Sequence, residues 1–339
     1  MAALCRALKE TAGGLSSYTV DTVFFGGGTP SLLTAGEMER IFCALSAFSV
    51  AKNAEISVEV NPKTASLETL CAYRALGVNR ISVGMQAAGE RELSLLGRIH
   101  SFSDTVCCVE DVRRAGFEQL NLHLMYGLPH QTESDWENTL SQALSLDPDH
   151  LSLYALSLSE TAPLYKMRDF LPSDDEQAAF YDLASSRCRE AGLFRYEISN
   201  FAKEGSFCRH NLRYWEGGDY LGFGPSAASF FEGRRYGEDC TLQEYLSHGP
   251  DLLSRVRKCP PLGQEEVLLE TIMLHLRLER GLCLSCFSET PLPHRVTKEV
   301  QELCKNGFCE MEEGRLRLTQ KGIFVSNEII SRLLLSAGL

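Results

Sequence analysis

The chain lacks any run of about 18 consecutive apolar residues, which excludes a helical membrane span. It lacks an excess of positive charge: 33 Lys and Arg stand against 45 Asp and Glu, a net charge of −12. General nucleic-acid binding needs a basic surface, so that class is excluded as well. The acid excess lies in the first three quarters, because from Arg255 onward 12 basic residues face 11 acidic ones. Met1 to Glu10 lack the basic start and long apolar stretch of a secretory signal, and the chain reads as cytoplasmic. A zinc-finger framework is also missing. Cys283-Leu284-Ser285-Cys286 has metal-ligand spacing, but no second Cys or His pair follows at the right distance. The 13 cysteines are an odd number, scattered and mostly set in apolar patterns. In a cytosolic chain they read as reduced, small core residues. Cys107-Cys108 falls in a helical pattern and faces two directions, which suits packing. Cys259-Pro260 is the dipeptide of some haem-sensing sites and also a common chance pairing.

What is present is a chain of 339 residues, 44% hydrophobic, long enough for one large domain and a small one. Its first half repeats one unit. Short β-rich runs at 22–25, 55–60, 80–85, 119–125 and 150–156 alternate with helical patterns. Thr34 with Glu37, Ser101 with Asp104, Thr132 with Asp135 and Ser173 with Glu176 each have the spacing of a capping box. A helix over 37–48 puts Met38, Ile41, Phe42, Leu45 and Phe48 on one stripe, and one over 103–115 does so with Val106, Val109 and Val112. Buried strands alternating with helices predict an α/β fold of parallel β/α units, as an open sheet or a barrel. Functional groups then belong at the C-terminal strand ends.

Farther on, the spacing predicts a helix, a turn at Gly192 and a strand at Phe194–Ile198. Cys208–Ser229, rich in glycine and aromatics, reads as loops over the barrel mouth. Pro260-Pro261-Leu262-Gly263 is a linker, followed by helices at 264–277 and 293–306 and a hairpin around Gly314. Helices followed by a hairpin predict a small winged-helix-like C-terminal domain.

At the candidate strand ends stand Phe24-Phe25-Gly26-Gly27-Gly28-Thr29-Pro30-Ser31, Glu59-Val60-Asn61-Pro62, Ile81-Ser82-Val83-Gly84-Met85-Gln86 and Tyr126-Gly127-Leu128-Pro129. His210-Asn211-Leu212-Arg213-Tyr214-Trp215 follows. In that order these segments resemble the radical S-adenosylmethionine (SAM) proteins related to oxygen-independent coproporphyrinogen III oxidase. The His-Asn-x-x-Tyr-Trp segment is similar to that of the HemW-type haem chaperones. The resemblance covers nearly the whole chain. It implies a partial (β/α)6 radical-SAM-type barrel over 1–205, a haem-motif and connecting region over 206–258, and a HemN-type winged-helix-like domain over 259–339. In that family the first strand leads into a cluster-binding loop. Here Met1 falls in the helix after that loop, so the barrel is expected to miss its first strand. Val20–Phe25 would then be an uncovered edge, open to pairing between two copies. The family's Cys-x-x-x-Cys-x-x-Cys triplet occurs nowhere in these residues, so no 4Fe–4S cluster is expected in this chain.

The resemblance assigns site residues. Gly26, Gly27, Gly28 and Thr29 would receive the methionine end of SAM, since glycines let backbone groups approach a ligand. Glu59 would pair with its ammonium, Arg98 with its carboxylate, and Gln86 with its ribose. From the residues alone, Glu59 and Arg98 form a structural ion pair equally well. Relatives carry Asp where this chain has His123, on the strand before Tyr126. A neutral imidazole offers one acceptor where a carboxylate offers two, so SAM binding is expected to be weak or vestigial. His123 could instead hold a metal or donate to a carboxylate. His210 beside Tyr214 and Trp215 suits haem, as an axial nitrogen next to aromatic rings, with Arg209 or Arg213 reaching the propionates. The plainer reading is an aromatic plug with His210 hydrogen-bonded in place. The expected function is haem binding and delivery to a haem-accepting protein, without radical chemistry by this chain alone. An incomplete oxidoreductase of the coproporphyrinogen type, or a catalytically dead regulatory scaffold, are the alternatives.

Overall fold

The computed structural model describes residues 1–247, 249, 251–287 and 292–339. They form two compact units, one of residues 22–35 and 55–207, the other of 1–21, 36–54 and 208–339. A curled seven-stranded sheet is built from β1 (Thr19–Phe25), β2 (Ser49–Val60), β3 (Arg80–Gln86), β4 (Gln119–Tyr126), β5 (His150–Ala155), β6 (Phe194–Glu197) and β7 (Asn200–Ala202). Its order is β1-β2-β3-β4-β5-β7-β6. The strands β2 to β5 pair in parallel, as the alternation of strand and helix predicts. The closing strands depart from the parallel expectation: β7 pairs antiparallel with both β5 and β6. The cause is local, because only Ile198 and Ser199 separate β6 from β7, and a parallel crossover needs a dozen residues or so.

The β3 strand is buried along nearly its whole length, as a central strand covered on both faces must be, whereas β1, at one end of the sheet, has no fully buried residue. The helices Phe102–Arg114, Glu133–Ser145 and Asp174–Glu190 begin in complete capping boxes at Ser101, Thr132 and Ser173. Trp136, Leu140 and Ala143 of the second of these are fully buried, with Leu120, Leu122 and Leu124 of β4. The Trp136 indole N–H donates to the Phe180 carbonyl at 2.8 Å.

In the other unit, the helix expected over 37–48 spans Ala35–Leu45. Phe48 leaves the stripe and meets Phe223 edge-on at 6.4 Å, beside a core of Leu15, Phe231, Leu252, Leu253 and Val256. The segment expected as loops over 208–229 contains the helix Arg209–Trp215, and the hairpin of β8 (Ala228–Phe231) and β9 (Arg234–Gly237) follows it. The C-terminal part holds the helices Gln264–His275, Leu292–Lys305, Gln320–Phe324 and Ser326–Ala337. With them is a three-stranded sheet, ordered β10-β12-β11, of β10 (Leu282–Cys283), β11 (Cys309–Glu312) and β12 (Arg315–Leu318). Glu313 and Gly314 turn that hairpin with φ of 49° and 76°, the left-handed pair a two-residue turn requires. No described helix is long and apolar enough to cross a membrane.

The cysteines depart from the reading as reduced core residues. Cys283 and Cys286 are joined in a disulfide, and of the remaining eleven only Cys108, Cys188, Cys208 and Cys309 are buried. Cys107 is exposed and Cys108 buried, as their opposed helical positions require.

Candidate functional site

Strand alternation sends every second side chain of β2 to β4 to the concave face of the sheet. Glu59, Ser82, Asn121 and His150 lie in one row across four strands, each in register with the next. Ser82, Gly84 and Gln86 follow one another along β3. At the C-terminal ends these residues open into a cavity of about 180 Å³ lined by Gly28, Thr29, Pro30, Glu59, Val60, Asn61, Ser82, Gly84, Gln86, Arg98 and His123.

The turn after β1 is shaped by its glycines. Gly27 and Gly28 have φ of 76° and 61°, and a Cβ on Gly26 would stand 2.7 Å from the Phe24 ring and 3.3 Å from Glu59 Oε2. Burial raises the pKa of Glu59, and a hydrogen bond from the Gly27 backbone N–H partly offsets that rise. Gln86 also has a left-handed φ, 66°, at the end of β3 where the register shifts, and its Nε2 would lie 3.0 Å from a Cβ on Gly84. A non-glycine residue held there is locally strained, and such strain concentrates at ligand sites. The buried Nε of Arg98 finds no hydrogen-bond acceptor among the described residues. Among the described residues no ion pair joins Glu59 and Arg98, so the structural-pair alternative has no support.

His123 forms part of the wall, its ring 5.8 Å from that of Tyr154. Burial first, and then the Arg80 guanidinium, lower its pKa to about 4, so it is neutral at pH 7. Among the described residues no cluster of three or more His, Cys, Asp or Glu is arranged for a metal, and none surrounds His123. Beneath it runs a closed polar network. The Asn121 amide donates to Ser82 and Ser152 at 3.0 Å each, and its carbonyl accepts from His150 Nδ1 at 2.8 Å. His150 Nε2 is 2.8 Å from the Tyr196 hydroxyl. Burial, then Arg80 and His123, hold the pKa of His150 well below its ordinary value. Neutral His150 thus donates at Nδ1 and accepts the Tyr196 proton at Nε2. Tyr126, expected at the site, is not in the cavity wall. It packs on Trp136 at 5.5 Å, and burial pushes its pKa up to about 12.

The second cluster lies on the helix Arg209–Trp215, in the other unit. His210 and Tyr214 stand one turn apart, their rings perpendicular at 5.0 Å, with His210 Nε2 2.9 Å from the Tyr214 hydroxyl. Tyr214 in turn meets Tyr220 edge-on at 4.5 Å. Trp215, expected beside His210, lies five positions on and turns away to Arg277, whose guanidinium is 6.0 Å from the ring. Its buried indole N–H finds no acceptor among the described residues. Arg209 and Arg213 both engage Asp21, and Arg209 also donates to the carbonyls of Asn53 at 2.8 Å and Asp21 at 3.2 Å. Cys259 caps the helix Leu252–Lys258, its thiol 3.7 Å from the Arg255 carbonyl.

Asn61, Ser82 and Gly84 were not singled out from the sequence, although the alternation of 82, 84 and 86 along one strand was a usable signal. Tyr220 carried none: it joins His210 and Tyr214 only because β8 forms, bridging Tyr220 to Phe230.

Comparison with known proteins agrees with the fold. Residues 6–143 match the radical SAM superfamily, and residues 262–325 match the HemN C-terminal domain. The chain is 31% identical to the heme chaperone HemW of Bacillus subtilis, over 98% of this chain and 90% of that one. It is 37% identical to the heme chaperone HemW of Synechocystis, over 83% and 69%. Its fold is similar to coproporphyrinogen III oxidase (HemN) from Escherichia coli, with a TM-score of 0.80 and 23% identity over 98% of this chain and 82% of that one.

Proposed function

The chain belongs to the HemW family of radical SAM proteins, and from that premise we propose that it binds haem and delivers it to a haem-accepting protein. The observation that carries the reading is the half-exposed His210 imidazole, set edge-on to Tyr214 with Tyr220 behind it. An imidazole nitrogen is an axial ligand for haem iron, and flanking tyrosine rings offer the flat apolar contact a porphyrin needs. Haem titrated into the wild type and into His210→Ala, followed by the Soret band, tests it. The expected result is a shifted Soret maximum and a tenfold or greater loss of affinity in the variant. Equal spectra and equal affinity would overturn the assignment.

For the cavity of the other unit we infer retained, weak binding of SAM. Glu59 suits an ammonium, the unsatisfied Arg98 Nε suits a carboxylate, and the Gly26–Thr29 turn leaves room for the methionine end. Gln86 and Asn61 offer amides to the ribose, while neutral His123 stands where a two-acceptor carboxylate would hold it better.

A further inference from the structure

The Cys283–Cys286 pair is used by neither cluster. Cys283 is the last residue of β10, and Cys286 sits in the short 3₁₀ turn Ser285–Phe287. They are bonded, with Cα atoms 5.5 Å apart. A structural disulfide in a domain with its own apolar core would be expected to close a long loop, because stabilisation grows with the length of chain constrained. This one spans a sequence separation of three, so the chain-entropy argument gives it little structural value.

Its surroundings favour a thiolate. The Cys286 backbone N–H donates to Cys283 Sγ at 3.2 Å, and the Ser285 hydroxyl is 3.3 Å from the same sulfur. The residue opposite Cys283 in the antiparallel register is Arg315. Cys286 is exposed and Cys283 half-buried, so a reductant reaches the pair from the Cys286 side. The intervening loop is seated on the β11–β12 turn: Leu284 and Ser285 both donate to the Gly314 carbonyl, at 2.9 and 3.3 Å. These contacts come from backbone groups and do not depend on the S–S bond. The buried thiols differ sharply, since burial raises Cys108, Cys188 and Cys309 to about 12 and leaves them inert at neutral pH.

We propose that Cys283 and Cys286 form a reversible dithiol–disulfide couple that exchanges with thiols of the glutathione class. In the reducing direction, a thiolate of the reductant attacks the exposed Cys286 sulfur. The S–S bond breaks and Cys283 leaves as a thiolate, held by the Cys286 N–H and the Ser285 hydroxyl. A second reductant thiolate then attacks the reductant-derived sulfur of the mixed disulfide, forming the reductant disulfide and releasing Cys286 as a thiolate. Two electrons and two protons pass to the protein, and two reductant thiols become one disulfide.

The test uses the full chain, equilibrated across a series of reduced-to-oxidised glutathione ratios. Exposed thiols are then alkylated, and the 283–286 peptide is quantified by mass spectrometry. The expected result is a reversible two-thiol transition within the accessible ratios, with circular dichroism unchanged. In Cys286→Ser, the Cys283 thiol is expected to alkylate with an apparent pKa at least one unit below the ordinary value of about 8.5. In Cys286→Ser combined with Ser285→Ala that value should rise. A pair that stays bonded until the protein unfolds, or a Cys283 thiol that titrates at the ordinary value of about 8.5, would overturn the proposal.

Discussion

If the cavity takes SAM as proposed, His123 limits how well it holds the ribose. It is neutral at pH 7 and offers one acceptor, and a hydrogen bond to a charged group contributes roughly 1.5–3 kcal/mol. Replacing it with a carboxylate is therefore expected to tighten SAM binding about tenfold or more. Calorimetry of SAM against the wild type and His123→Asp checks this, and an unchanged affinity in a folded variant counts against it. At the other cluster, the Nε2 of His210 already has a partner in the Tyr214 hydroxyl, a bond that haem ligation through that nitrogen must break. Tyr214→Phe keeps the ring and removes the bond, so haem affinity is expected to rise several-fold, on the order of the 0.5–1.5 kcal/mol of a neutral hydrogen bond. A Soret titration with no gain would show that ligation uses the other nitrogen. The positions of both clusters along the chain were legible in the motifs, but their membership was not. Gly26, Glu59 and Gln86 stand at strand ends that the pattern marks. Tyr126 likewise ends a strand, β4, yet packs on Trp136 in the helix layer, and Trp215 shares a motif with His210 but not a helix face. A motif fixes which residues are neighbours in sequence; only the helical turn and the pleat decide which of them meet.

At the scale of elements, legibility follows length and chemistry. The capping boxes were readable because a side-chain pair three residues apart states its own hydrogen bonds. Thr132 accepts from the Asp135 N–H at 3.2 Å while Asp135 accepts from the Thr132 N–H at 2.9 Å. Thr132→Ala is expected to cost about 1 kcal/mol, seen as a lower urea midpoint with an unchanged slope. The β11–β12 hairpin was equally readable, because Gly314 supplies the left-handed turn. The seven-residue helix Arg209–Trp215 was not, since a helix that short has little intrinsic stability and depends on its tertiary partners. Those partners are Asp21 and the Asn53 carbonyl, more than 150 residues away in sequence. The strand expected at Phe194–Ile198 matches β6, whereas β7 was not readable, because three residues are too few to show a period.

At the scale of the whole molecule, the two buried imidazoles make stability depend on pH. Unfolded, each titrates near 6.5; folded, His123 titrates at about 4 and His150 well below its ordinary value. As pH falls below about 6.5 the unfolded chain binds more protons than the folded one, so stability falls until the folded imidazoles also protonate. For His123 alone this amounts to as much as about 3 kcal/mol. Glu59 and Glu92, raised by burial, act in the opposite sense above about 4.5 and reduce the slope. Urea midpoints at pH 7.5, 6.0 and 5.0 are expected to decline in the wild type and to decline less in His123→Gln. Parallel curves for the two proteins would contradict this. Charge has a further consequence at the helix that bears His210. The chain carries a net charge of −12, and Asp21 already engages both Arg209 and Arg213. On the proposed reading, a dianionic porphyrin would approach a like-charged body on which Arg209 and Arg213 are already paired. Bound as proposed, it would be held by a metal–nitrogen bond and ring contact, with little of the long-range attraction that salt would screen. The proposed hand-over would then turn on exchange of the His210 ligand, without the separation of an ion-paired complex.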